Sequence, residues 1–152
     1  MTVALETVLL AVGPGDANRT DELSDALLEV AAPADATVVL AHVFTSDEYD
    51  EVLERLEFET GADVDPDEVA ARHSTIRELR TALEEHGVEY EVRGTVGDHG
   101  PSIVDLALDV DADRVLVGGR RRSPAGKAVF GSTAQEVLLS SPCPVTFVRG
   151  AE

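Results

Sequence analysis

The chain has 152 residues, enough for one domain with its own core, and its 30 acidic and 12 basic residues give a net charge of −18. So acidic a chain repels other polyanions, which excludes double-stranded nucleic acid and anionic membranes as expected partners. Cys143 is the single cysteine, which excludes an internal disulfide and fits the reducing cytoplasm where we expect the protein.

Five short apolar runs rich in Val, Leu and Ala predict buried strands. They cover residues 7–12, 37–43, 88–96, 114–117 and 145–148. Apolar positions at helical spacing predict helices at residues 19–32, within 46–59, and at 65–86, 102–110 and 132–140. We expect Pro33 to end the first helix, and Asp65 with Pro66 to begin the third.

This alternation of strands and helices predicts one α/β domain over residues 1–152 with a Rossmann-like fold. We expect an open, five-stranded parallel sheet in the order 3-2-1-4-5, with helices on both faces. In such sheets ligands bind beyond the carboxyl ends of the strands where the strand order reverses. The turn at residues 13–16 and the loop at 118–130 would then flank one crevice.

That second loop carries an unusual share of the positive charge. Four of the 12 basic residues lie in it, namely Arg120, Arg121, Arg122 and Lys127. It ends at Gly131-Ser132-Thr133, where a new helix begins with bare backbone N–H groups that favour phosphate. We interpret the segment as an anion site. The alternative is a solvated loop whose arginines pair with nearby carboxylates.

The same segment resembles the nucleotide loop of universal stress proteins. In that family the fourth strand is followed by Gly, two residues, Gly, nine residues and then Gly-Ser or Gly-Thr. Gly118 matches the first position, Gly131 and Ser132 match the last pair, and Arg121 stands at the second glycine. The segment at residues 97–103 and the closing Pro-Cys-Pro-Val-Thr-Phe-Val also resemble the family, so the likeness spans nearly the whole chain.

The resemblance implies that the loop holds the ribose and phosphates of ATP or another adenine nucleotide, with Mg²⁺ as a possible companion. The family's nucleotide binders carry an Asp at the end of the first strand, where this chain has Gly13. Asp16 takes that role only if the Gly-Pro-Gly turn folds it back. Val43, after the second strand, suits the apolar wall for the base.

Other chemistries find little support in the sequence. His42, His73, His86 and His99 are widely spaced and there is no second cysteine, so we expect no zinc site. His99 is a weak candidate for ligand contact. We find no recognisable nucleophile and no positioned general base, which favours a binding protein over an enzyme, at most one with slow ATPase or phosphotransfer activity.

The leading hypothesis is a nucleotide-binding universal stress protein that acts as a sensor or regulator. The alternative is an interaction module of the same fold that has lost its nucleotide. Under either hypothesis we expect a homodimer, because the last strand, with Val145 and Phe147, should lie at an unprotected sheet edge.

The charge composition generates a prediction about salt. The chain has 11 Arg and one Lys beside abundant carboxylates, as in proteins from salt-loaded cytoplasms. Molar KCl screens the self-repulsion of these carboxylates, so the melting temperature should rise from dilute buffer to molar KCl. A thermal unfolding series in KCl measures this, and a melting temperature that does not rise contradicts it.

Overall fold

A computed structural model of the chain describes residues 5–55, 64–119 and 131–150. Within these ranges, five strands form one parallel sheet in the order β3-β2-β1-β4-β5, which confirms the predicted topology. The strands are β1 (Thr7–Val12), β2 (Thr37–Phe44), β3 (Tyr90–Val96), β4 (Arg114–Gly119) and β5 (Val145–Arg149). The helices are α1 (Thr20–Ala34), α2 (Ser46–Arg55), α3 (Pro66–Ala71), α4 (Ser74–Glu85), α5 (His99–Asp109) and α6 (Ser132–Ser140).

Helices cover both faces of the sheet. Helices α1 and α4 bury one face, in a core that includes Leu10, Leu23, Leu27, Leu40, Ile76 and Leu79. Helices α5 and α6 bury the other, in a core that includes Leu9, Val39, Ile103, Val117 and Val137. Because the central strands are buried on both sides, their sequences are apolar at nearly every position instead of alternating.

The two edges of the sheet differ. Helix α3 covers the outer side of β3, where the carboxylate of Asp67 accepts a hydrogen bond from the Gly94 N–H at 2.6 Å. A Cβ at Gly94 would overlap the carbonyl oxygen of Pro66, so the close approach of α3 requires glycine there. At the opposite edge, β5 pairs with β4, and no described strand pairs with its outer side.

The predicted helix at residues 65–86 is wrong in one respect, because the structure divides it into α3 and α4. The break falls at Arg72 and His73. His73 is extended (φ −65°, ψ 133°), and its Nδ1 accepts a hydrogen bond from the Thr75 N–H at 3.2 Å. A side chain that satisfies a first-turn N–H begins a new helix, although the apolar spacing continues through the break.

Two helix boundaries also differ from the prediction. Pro33 lies inside the last turn of α1, which ends one residue later at Ala34, and the C-cap residue Asp35 is left-handed with φ 53°. A proline in the last turn removes one backbone donor and leaves the earlier turns intact. Helix α5 begins at His99, before the predicted start at Ser102, because Pro101 fits a first helical turn, where its missing N–H costs nothing.

Candidate functional site

The turn after β1 folds Asp16 back toward the end of the strand. Its carboxylate Oδ2 accepts a hydrogen bond from the Gly13 N–H at 2.7 Å, and the Asp16 N–H donates to the Gly13 carbonyl at 3.1 Å. The turn is a 3₁₀ helix at Pro14–Asn18, and Asp16 is only 4% exposed. The fold-back that Asp16 needs to lie at the strand end is therefore present.

Arg19 completes a buried ion pair with Asp16. The Nη1 atom of Arg19 lies 2.5 Å from Oδ1 of Asp16, and Arg19 is only 6% exposed. A buried charge whose partner is removed costs about 3–5 kcal/mol, so each residue holds the other in place. The sequence reasoning missed Arg19, and its spacing of three residues from Asp16 is the signal that could have found it.

The end of β4 packs against this pair, as the predicted meeting of β1 and β4 requires. A Cβ at Gly118 would lie 2.8 Å from Asp16 Oδ1 and 3.0 Å from Arg19 Cδ. A Cβ at Gly119 would lie 2.6 Å from Phe147 Cζ. The glycines at the end of β4 thus make room for side chains of the protein itself.

The start of α6 is open. Gly131 is the N-cap residue in an extended conformation (φ −62°, ψ 159°), no side chain of the described residues caps the helix, and Gly131 and Ser132 are exposed. A Cβ at Gly131 would meet no described atom within 4 Å. Thr133 is half-buried. An anion therefore has access to the N–H groups of the first turn, which the helix itself leaves unbonded.

The remaining predicted site residues are placed less favourably. Val43 lies in the core under α5 and α6 and is 4% exposed, so its side chain offers little surface to a base. The four cations of the loop, Arg120, Arg121, Arg122 and Lys127, lie outside the described residues.

Three of the four histidines lie close together at the carboxyl edge, although their spacing in the sequence suggested no cluster. The ring of His42, in β2, lies 4.6 Å from that of His73 and 4.5 Å from that of Phe44 between centroids. Its Nδ1 lies 2.6 Å from the Val12 carbonyl oxygen. The Nε2 atom of His99 lies 2.8 Å from Glu48 Oε1.

Burial keeps His42 and His73 neutral. Loss of solvent lowers the pKa of His42 from 6.5 to about 4, against the effect of its bond to the Val12 carbonyl. Burial also lowers the pKa of His73, and the charge of Asp16 opposes this shift. Both rings therefore act at neutral pH as uncharged hydrogen-bonding groups.

The histidines do not assemble a metal site with their neighbours. Across residues 5–55, 64–119 and 131–150, no three His, Cys, Asp or Glu side chains are arranged to hold a metal ion. The helices in these ranges include none with the length and hydropathy needed to cross a membrane.

The low pKa of His42 predicts a pH-dependent stability. Between pH 6.5 and 4 the unfolded chain protonates at His42 while the folded chain does not, so stability falls as the pH falls through this window. This pKa shift corresponds to a loss of roughly 3 kcal/mol in the free energy of unfolding between pH 7 and pH 4. Gln at position 42 in His42→Gln can still donate to the Val12 carbonyl but does not titrate. Between pH 7 and pH 4 the variant should therefore lose less stability than the wild-type protein, by roughly 3 kcal/mol.

Urea unfolding in molar KCl at pH 7 and pH 4 measures the difference. His86→Gln is the matched control, because His86 is exposed at the end of α4. This variant should keep the wild-type dependence of stability on pH. Equal losses of stability in His42→Gln and wild type would contradict the prediction.

Comparison with known proteins assigns the chain to a family. The family model that describes the universal stress protein family matches residues 5–149. A universal stress protein of Mycolicibacterium smegmatis is 35% identical over 91 residues, which are 59% of this chain and 70% of that protein.

Solved structures of the family have the same fold. A universal stress protein from Archaeoglobus fulgidus superposes with a TM-score of 0.71 at 26% identity, covering 95% of this chain and 98% of the other. A universal stress protein in complex with cAMP gives a TM-score of 0.68 at 22% identity, covering 98% of this chain and all of the other, 100%. The chain belongs to the universal stress protein family.

Proposed function

We propose that this protein binds an adenine nucleotide across the carboxyl edge of the sheet, where β1 meets β4, and acts in the cytoplasm as a nucleotide-dependent sensor or regulator. The observation that carries the proposal is the start of α6, where Gly131 and Ser132 are exposed and no side chain in the described ranges caps the helix. A phosphate fits this position, since the N–H groups of a first helical turn and the helix dipole both favour an anion.

Solved structures of similar proteins support an adenine nucleotide as the ligand. A structure similar to this chain along nearly its whole length is a complex with cAMP, which is a phosphate ester of adenosine. Arg120, Arg121, Arg122 and Lys127 would add positive charge between the end of β4 and the start of α6, in a chain whose net charge of −18 otherwise repels anions. With ATP as the ligand, Mg²⁺ would be held mainly by phosphate oxygens and water, as is usual for this ion.

The proposal predicts the effect of a side chain at Gly131. Gly131→Phe should abolish nucleotide binding, because the ring would occupy the space in front of the first turn of α6. It should lower the melting temperature only slightly, since an apolar N-cap costs about 1 kcal/mol and a Cβ there meets no described atom within 4 Å. Calorimetric titration of AMP and of ATP with Mg²⁺ into protein in molar KCl measures the affinity.

Gly131→Ala is the matched control, with the same backbone and a side chain of one carbon, and it should bind more tightly than Gly131→Phe. The nucleotide released on denaturing the purified wild-type protein gives an independent measure, expected at about one per chain for a single high-affinity site. An unchanged affinity in Gly131→Phe would refute this site, and a wild-type protein that binds no nucleotide would favour the interaction module.

We also propose a homodimer that forms by pairing of β5 with its copy. Helix α3 covers the opposite edge of the sheet, whereas the outer side of β5 is not paired with any described strand, and its residues Val145 and Phe147 are half-buried. An apolar strand at the edge of a sheet is a template for pairing, and two copies of it can pair with each other by two-fold symmetry.

A lysine in this strand should favour the monomer, because natural proteins use edge lysines to block strand pairing. Val145→Lys is expected to shift the mass measured by light scattering in molar KCl from dimer to monomer. Leu108→Lys adds the same charge at a residue of α5 that is 56% exposed, and should remain dimeric. A wild-type protein that is monomeric at every concentration and salt would rule out the dimer.

A further inference from the structure

The last strand carries a cation to the carboxyl edge of the sheet. Arg149 is the final residue of β5, lies in register with Gly119 of β4, and is exposed. The residue after it is also held to β4, since the Gly150 N–H donates to the Gly119 carbonyl at 2.9 Å. The backbone that carries Arg149 is therefore fixed beside the end of β4.

Arg149 points to the face of the sheet that α6 covers. Successive side chains of a strand alternate between the two faces. Val148 belongs to the core under α1 and α4, whereas Phe147 packs against the core under α5 and α6. Arg149 is two residues beyond Phe147 and therefore shares the α6 face.

Arg149 also lies near the level at which α6 begins. Helix α6 starts at the carboxyl edge and packs on β4 and β5, with Ala134 in the core that Phe147 contacts. Gly131 lies three residues before Ala134, which is about 4.5 Å further toward the carboxyl edge. Arg149 lies about 7 Å beyond Phe147 in the same direction. The long stem of Arg149 lets its guanidinium extend over the first turn of α6.

The opposite flank of α6 carries a negative charge. Glu136, in the second turn of α6, faces α5, because a Cβ at Gly100 would overlap its carboxylate. Gly100 lies in the first turn of α5, where the positive end of the helix dipole favours a carboxylate. A phosphate at the start of α6 is therefore repelled on the α5 side and attracted on the β5 side, where Arg149 lies.

The guanidinium of Arg149 forms no ion pair within residues 5–55, 64–119 and 131–150. Other arginines in these ranges are paired, as Arg19 is with Asp16. In a chain with 30 acidic and 12 basic residues, a guanidinium without a carboxylate partner is available to a bound anion. Its planar fork can hold a phosphate by two parallel hydrogen bonds.

We propose that Arg149 is a phosphate-binding residue of the nucleotide site, with its guanidinium holding the phosphate from the β5 side while the first-turn N–H groups of α6 hold it along the helix axis. This inference rests on the proposed function, because it assigns a side-chain contact of that nucleotide. Arg149 differs from the four cations of the loop in being carried by the sheet itself.

The test compares adenosine with AMP, which differ only in the phosphate, by calorimetric titration in molar KCl. Arg149→Gln removes the charge and keeps a polar side chain. The variant should bind AMP about 10- to 100-fold more weakly than the wild type, as expected for the loss of a hydrogen bond between charged groups. It should bind adenosine as tightly as the wild type, because adenosine has no phosphate for Arg149 to contact.

Two further variants isolate the contact. Arg149→Lys keeps the charge without the planar fork, so its affinity for AMP should fall between those of Arg149→Gln and the wild type. Arg77→Gln is the matched control, because it removes the same charge at an exposed residue of α4, on the other face of the sheet, and it should bind AMP like the wild type.

The outcomes separate this inference from the proposed function. Wild-type affinity for AMP in Arg149→Gln overturns the phosphate contact and leaves the nucleotide site standing. Equal weakening of adenosine and AMP, or an Arg149→Lys variant that binds AMP no better than Arg149→Gln, also overturns the contact. A wild-type protein that binds neither ligand overturns both proposals. Where adenosine binds too weakly to titrate, the ranking of the wild type, Arg149→Lys and Arg149→Gln for AMP decides.

Discussion

The carboxylate of Asp16 is the contact on which the carboxyl edge depends. One oxygen accepts the Gly13 N–H and shapes the turn after β1, while the other pairs with Arg19 just before α1. The same carboxylate lies against Gly118, so the ends of β1 and β4 are held together where the strand order reverses. This buried ion pair keeps the ends of β1 and β4 in one arrangement. Moving either charge away would leave the other charge unpaired in a region of low dielectric, which is costly.

This pairing limits the negative charge at the carboxyl edge of so acidic a chain. The net charge is −18, yet Asp16 at the carboxyl edge is paired with the positive charge of Arg19, and Glu48 accepts a hydrogen bond from His99. His42 and His73 are kept neutral by burial and therefore add hydrogen-bonding groups without adding charge. The acidic surface repels polyanions, while the described part of the carboxyl edge presents neutral hydrogen-bonding groups and the exposed start of α6.

The sequence was sufficient for the strands and their order, because each strand is a compact apolar run and alternation with helices leaves few topologies. It was not sufficient for the break between α3 and α4, where the apolar spacing continues and only the bond from Thr75 to the His73 ring starts a new helix. The grouping of His42 and His73 was missed for a related reason. Residues 31 positions apart meet because the end of a central strand lies under that break, a tertiary contact that no local pattern carries.

The glycines of the loop pattern illustrate how one residue type can serve two purposes. Glycine is favoured wherever backbone must approach another group closely, and the group can be a ligand or the protein itself. At Gly118 the space is filled by Asp16 and Arg19, with a hypothetical Cβ 2.8 Å from the carboxylate. At Gly131 it is open, with no described atom within 4 Å. The two positions match the same family pattern, but among the described residues the space beside Gly118 is filled and the space beside Gly131 is not. The end of β4 therefore anchors the turn after β1, whereas the start of α6 is the position that the proposed nucleotide site uses for phosphate.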